Sequence, residues 1–134
     1  MVEAAFELPV EVRPEDIDAL GHVNNVVYLR WVQDAAVAHW NALAPAADRE
    51  KLRWVVLRHE IDYKQACRLG EAVIARTWVG GASGLRFERH TELLRAVDRG
   101  LLAKALTIWC PIDARSGRPA AVSTEVRALF SRPA

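Results

Sequence analysis

From Phe6 to Arg13 the chain alternates, with Phe6, Leu8, Val10 and Val12 on one side and Glu7, Pro9, Glu11 and Arg13 on the other. A period of two marks a strand with one buried face, and Pro9, which cannot donate to a sheet ladder, places it at an edge or a bulge. Pro14 ends it. From Val26 to about Leu43 the period lengthens to that of a helix, with Leu29, Val32, Ala36, Trp40 and Leu43 forming one stripe. Val27, Trp31, Ala35 and Val37 add apolar positions elsewhere and leave Arg30, Gln33 and Asp34 as a thin polar strip. Such a pattern predicts a helix wrapped by other elements, not one laid on a surface.

Ala44 to Lys51 reads as a connection with a short helical turn. From Trp54 the period returns to two, with Val55, Leu57, His59, Ile61 and Tyr63 facing one way and Arg58, Glu60, Asp62 and Lys64 the other. Further strands are expected at Glu71 to Val79, Leu85 to Val97 and Leu101 to Ile112, separated by turn signals at Arg68–Gly70, Gly80–Gly84 and Asp98–Gly100. The strand from Leu101 is apolar in both registers, as a strand covered on both faces would be. Ser116–Pro119 turns the chain, and Ser123 caps a short helix reaching Phe130. Short connections between strands imply antiparallel neighbours, so the chain is α+β: one apolar helix against a meandering sheet, in a single domain spanning residues 1–134.

Composition narrows the function classes. With 51% apolar and 26% charged residues and a formal net charge of +1, no bulk field favours nucleic acid or an anionic membrane. The five tryptophans do not alternate with basic residues as a base-stacking surface requires, which leaves them as core, interface or pocket walls. No apolar run approaches membrane-spanning length and the N-terminus lacks signal-peptide character, so a cytoplasmic protein is expected. Cys67 and Cys110 have no CxxC spacing, which points to plain core thiols. His39 and His90 lack partners at ligand spacing, and no metal site is expected.

The chemistry concentrates between Arg13 and Trp31. Asn24 is a suitable helix N-cap, and the unpaired N–H groups and positive dipole end behind it form a site for a developing oxyanion. Asp18 precedes the cap by six residues, and Gly21 permits the sharp turn that folds its carboxylate back towards the helix start. Asp16 and Asp18 also suit local capping of backbone N–H groups. Asp16, Asp18 and Gly21 fall on positions 1, 3 and 6 of a calcium loop, but Leu20 and Val27 at positions 5 and 12 exclude it. His22 either tunes Asp18 or holds the turn. Asn24 and Asn25 serve as caps, substrate contacts or both. Tyr28 suits packing with a satisfied hydroxyl, and His59 suits a core or interface position.

The string Asp16, Ile17, Asp18, Ala19, Leu20, Gly21, His22, Val23, Asn24, Asn25, Val26, Val27, Tyr28, set between a strand and a long apolar helix, resembles the signature of hotdog-fold acyl-CoA thioesterases of the 4-hydroxybenzoyl-CoA thioesterase type. The resemblance implies a hotdog fold, in which a curled antiparallel sheet wraps a central helix and two sheets join edge to edge in a homodimer, with a homotetramer as the further possibility. It implies hydrolysis of an acyl-CoA to free acid and CoA, with Asp18 as nucleophile or general base and the backbone N–H near Asn25 as oxyanion donor. His22 is the third candidate catalytic residue, and Gly21, Asn24, Tyr28 and His59 are candidate substrate contacts. No cofactor is expected beyond the coenzyme A of the substrate. Some related branches place a catalytic Glu on the helix; here the helix carries only Asp34. Arg86, Arg89 and Lys104 are candidate phosphate contacts. A hotdog domain that binds acyl-CoA or an acyl carrier protein without hydrolysis is the alternative. A hydratase ranks behind both, because its Asp-x-Asn-x-x-His spacing is absent.

Overall fold

The period-two stretches pair into one five-stranded antiparallel sheet, ordered β1-β3-β4-β5-β2, in a computed structural model that describes residues 5–131. Its strands are β1 (Phe6–Val10), β2 (Leu52–Tyr63), β3 (Val73–Ser83), β4 (Arg86–Arg95) and β5 (Leu101–Asp113). Helix α1 (Asn25–Leu43) lies against β1, β3 and β4, with α2 (Ala46–Lys51) and α3 (Thr124–Leu129) as short flanking helices. The sheet is not closed, and β1 and β2 are its edges. Pro9 sits on β1 as its missing donor requires. Ser123 caps α3 by accepting the Val126 N–H. β5, apolar in both registers, is an interior strand between β4 and β2, and consecutive residues such as Leu102 and Ala103 or Thr107 and Ile108 are buried along it.

The core packs Val27, Tyr28, Trp31, Val32 and Ala35 of α1 onto Val73, Ala75, Leu93, Leu102, Ala103 and Ala105 of the sheet. This buried face differs from the stripe the sequence suggests. Val37 and Leu43 are 53% and 40% exposed, so in the single chain α1 has one open side and is not wrapped around its circumference. The small residues Ala35 and Ala36 set the true contact, because they let the helix approach the sheet closely.

Two strand expectations also change. β2 carries a bulge between Val56 and Arg58. Leu52, Trp54 and Val56 therefore face inward before it and His59 and Ile61 after it, while Val55 and Leu57, expected on the face of His59, are 39% and 49% exposed. An inserted residue reverses the alternation, which a fixed period cannot express. Likewise, β3 runs through Gly80 and Gly81, read above as a turn, and reverses at Gly84, whose φ is 61°. A Cβ on Gly80 would lie 2.9 Å from His90 Nε2, so that glycine serves close strand approach.

Candidate functional site

Between β1 and α1 the chain forms a turn held at its base by Asp16. That carboxylate is 2% exposed and accepts the Arg13 N–H at 2.9 Å and both terminal nitrogens of Arg30 at 2.9 Å each. The Arg30 hydrogen bonds hold its carboxyl below the usual carboxylate range against the opposing effect of burial. The Asp16 carbonyl accepts the Asn24 N–H at 2.8 Å, so this residue fixes both the entry and the exit of the turn. Asp16 is thus structural, one of the two roles open to the pair of aspartates.

Asp18 stands inside the turn. Its N–H donates to the His22 carbonyl at 2.9 Å, and its own carbonyl accepts from Gly21, which adopts a φ of 79° that favours glycine. One carboxylate oxygen, Oδ1, accepts the Leu20 N–H at 2.9 Å. Oδ2 has no protein partner among the described residues. Val23 donates to the Cys67 carbonyl at 2.8 Å and so ties the turn to the segment after β2. Asn24 then caps α1, its Oδ1 accepting the Val26 N–H at 3.0 Å. Asn25 is the first residue of the helix, where the helix itself offers its N–H no acceptor.

A cavity of about 390 Å³ opens at this helix end. It brings together Asp18, His22, Asn24, Asn25 and Tyr28 with the chain from Tyr63 to Ala66. Tyr28, buried, donates its hydroxyl to the Gln65 carbonyl at 3.3 Å, and burial raises its pKa above the ordinary tyrosine value. Tyr63 donates to the Asn25 carbonyl at 3.1 Å and stacks on Tyr28 with ring centroids 5.3 Å apart. Tyr63 and Gln65 were missed as site residues. They reach the helix start only because β2 ends beside it, and nothing local to residues 63–65 signals that.

Gly21 shapes the turn from an exposed position outside the cavity lining. His59 is not brought to the cavity either: it sits half-buried in β2 with Nδ1 3.0 Å from Thr107 Oγ1, and burial disfavours its charged form. Of the candidate phosphate contacts, Arg86 and Lys104 are exposed, whereas Arg89 is buried. Asp34 is exposed on α1. Among the described residues, no group of three or more His, Cys, Asp or Glu side chains is placed to hold a metal ion, and no helix is long and apolar enough to cross a membrane. Chemically, the site offers a carboxylate with an uncommitted oxygen beside the N–H groups of a helix start. One can attack or deprotonate, and the other can hold negative charge.

Residues 12–130 match the thioesterase-like superfamily. A curated relative, the acyl-CoA thioesterase YbgC of Haemophilus influenzae, is 28% identical over 134 residues, covering 97% of each chain. A thioesterase from Thermus thermophilus, solved in complex with coenzyme A and Zn, superposes with a TM-score of 0.78 at 26% identity over 92% of this chain and 95% of that one. A 1,4-dihydroxy-2-naphthoyl-CoA thioesterase from Synechocystis has the same fold, with a TM-score of 0.78 at 19% identity over 94% of this chain and 95% of that one. With the family matched over nearly all of its length and its sheet and helix superposing on theirs, the chain belongs to the thioesterase-like superfamily and is a thioester hydrolase with a hotdog fold.

Proposed function

We propose that this chain hydrolyses acyl-CoA thioesters, with Asp18 as the catalytic carboxylate and the N–H groups at the start of α1 as the oxyanion site. The observation that carries this reading is the uncommitted oxygen of Asp18 on the same cavity as Asn25. Asp18 attacks the thioester carbonyl or removes a proton from the attacking water, and the charge that builds on the carbonyl oxygen is met by donors already oriented before the reaction. The coenzyme A thiolate leaves without needing a metal. His22 and Tyr28 border the same cavity, and with Asn24 they are the residues proposed to orient the substrate. The acyl-CoA specificity is supported by the Haemophilus relative's activity and by the coenzyme A held by the Thermus thioesterase.

The working unit is proposed to be at least a homodimer. Its support is the unpaired edge of β2, with Val55 and Leu57 exposed there, and the exposed apolar Val26 and Val37 on the open side of α1. Light scattering that gives the mass of one chain at assay concentration would overturn this part alone.

The function is tested by thiol release from a panel of aliphatic and aromatic acyl-CoAs. The expected result is turnover of at least one of them by the native chain and its loss in Asp18→Asn, whose amide oxygen can still accept the Leu20 N–H and keep the turn. Saturable acyl-CoA binding without thiol release would favour the non-hydrolytic reading. Full activity in Asp18→Asn would remove Asp18 from the mechanism.

A further inference from the structure

The larger cavity of the chain, about 820 Å³, lies at the other end of α1 and shares no lining residue with the cavity at Asp18. From Asn25 to Trp40 the helix rises about 22 Å, so the two openings are well separated within one chain. Its walls are aromatic. Trp40 stacks on Phe130 at 5.5 Å and meets Trp54 edge-on at 5.4 Å, Trp54 meets Phe87 edge-on at 5.3 Å, and Trp109 lies opposite Phe87 in the sheet.

Against these walls stands Arg89 of β4, only 8% exposed. Its Nη1 donates to His39 Nδ1 at 2.9 Å and to Thr77 Oγ1 at 3.1 Å. A guanidinium has no lone pair to offer, so His39 must accept with a bare Nδ1 and carry its proton on Nε2. Burial first, and the Arg89 charge second, push the imidazole down to about 4, which keeps it neutral near pH 7. Both partners of Arg89 are therefore uncharged. Among the described residues no acceptor takes its remaining three N–H groups, and no carboxylate lies within ion-pair distance.

The rest of the lining has the same bias. Arg49, Arg53 and Arg127 border the cavity with Glu88 as the one acid, and none of the three arginines is ion-paired among the described residues. Arg49 and Arg53 donate to backbone carbonyls, and Arg127 lies over the Phe87 ring at 5.3 Å. Two indole N–H groups on the lining, those of Trp54 and Trp109, are buried without an acceptor. The cavity thus combines apolar walls with four arginines against a single carboxylate and with buried donors that have no acceptor. Unpaired buried donors are costly, and an acceptor-rich ligand is what would satisfy them.

We infer that this cavity binds an apolar carboxylate, a chain or ring with one anionic end, whose charge meets Arg89 and whose body lies against Trp40, Trp54 and Phe130. The inference is independent of the role given to Asp18, since the two cavities have no residue in common. It also bears on Arg89 as a candidate phosphate contact: a guanidinium at the bottom of an aromatic cavity suits a compact carboxylate joined to an apolar body better than a hydrated phosphate.

Octanoate and octan-1-ol are titrated in parallel by calorimetry and by the indole N–H signals of ¹⁵N-labelled full-length protein, with Trp54→Phe and Trp109→Phe assigning the two signals. The expected result is saturable octanoate binding at least tenfold tighter than that of octanol. The Trp54 or Trp109 signal should move downfield as it gains an acceptor, while the signal of Trp31, buried in the main core, stays in place. Arg89→Met should remove the tenfold preference and leave octanol binding within twofold. If that variant does not fold, the comparison of acid with alcohol on the native protein still decides. Equal affinities for the two ligands, or shifts confined to signals around Tyr63 and Asn25, would overturn the inference.

Discussion

The two ends of α1 make opposite kinds of site from the same helix. At its start, ten consecutive residues from Asp16 to Asn25 place a carboxylate and helix N–H groups on a small cavity, and the contacts that shape their turn span few residues, with Tyr63 to Ala66 added as one distant wall. Its far half, from Ala36 to Asn41, borders a larger aromatic cavity assembled from α1, four strands, α2 and α3. The first is written in local turn chemistry, and the second exists only after the sheet has formed. Chemistry at one end and capacity for an apolar body at the other is a division of labour that changes at either end should separate.

The largest separation is expected from Asp18→Asn, which should lower kcat/KM for thioester hydrolysis by about 10²- to 10⁴-fold while leaving octanoate binding at the far cavity unaltered. A matching loss of both would mean that the two ends are a single site.

Next in size is a pH effect confined to the far end. His39 has its pKa lowered from 6.5 to about 4 by burial and by Arg89. The unfolded chain therefore binds more protons than the folded one between those values. The stability it contributes is complete above pH 6.5 and is lost as pH falls towards 4, on the order of 3 kcal/mol in all. Urea unfolding across this range should show that slope in the native chain and a flatter one in His39→Gln, with no matching change at the Asp18 turn.

Asp16→Ala should cost about 2–3 kcal/mol of stability, because it leaves Arg30 and the Arg13 N–H without their acceptor. The lowered pKa of Asp16 gives the opposite window from His39: its contribution is present above the ordinary carboxylate value of 3.8 and is lost as pH falls through the lowered folded value. The smallest effect is expected from Tyr63→Phe, which removes one exposed hydrogen bond to the Asn25 carbonyl and should cost about 0.5–1 kcal/mol in thermal unfolding. A larger change in KM than in kcat would show that this hydroxyl steadies the helix start around bound substrate.

The legibility of the fold follows the same division. The helix start at Asn25, its cap at Asn24, the turn at Gly21 and the cap at Ser123 are all set by residues within a few positions of one another, and the sequence locates them to within a residue. Tyr63 and Gln65 could not be placed in the site, because their contacts with Asn25 and Tyr28 span 38 and 37 residues. Arg89 reads from sequence as a candidate phosphate contact within an expected strand. Its burial is produced by His39, 50 positions away, together with the phenylalanines that enclose that imidazole. Faces assigned to β2 failed for a third reason, since periodicity counts positions and the bulge adds one.

That extra position sets a rule of parity for β2. Upstream of Leu57 the even-numbered residues turn inward, and downstream the odd-numbered ones do. Leu57 has no partner in the ladder, so deleting it would leave Val56 opposite Trp109, Arg58 opposite Ile108, and His59 and Ile61 still on the helix side, whereas forcing Leu57 into the ladder would send Arg58, Glu60 and Asp62 to the helix side and His59 and Ile61 out to solvent. Leaving this spare residue outside the ladder is thus what lets both halves of this strand turn their apolar side chains to the same helix.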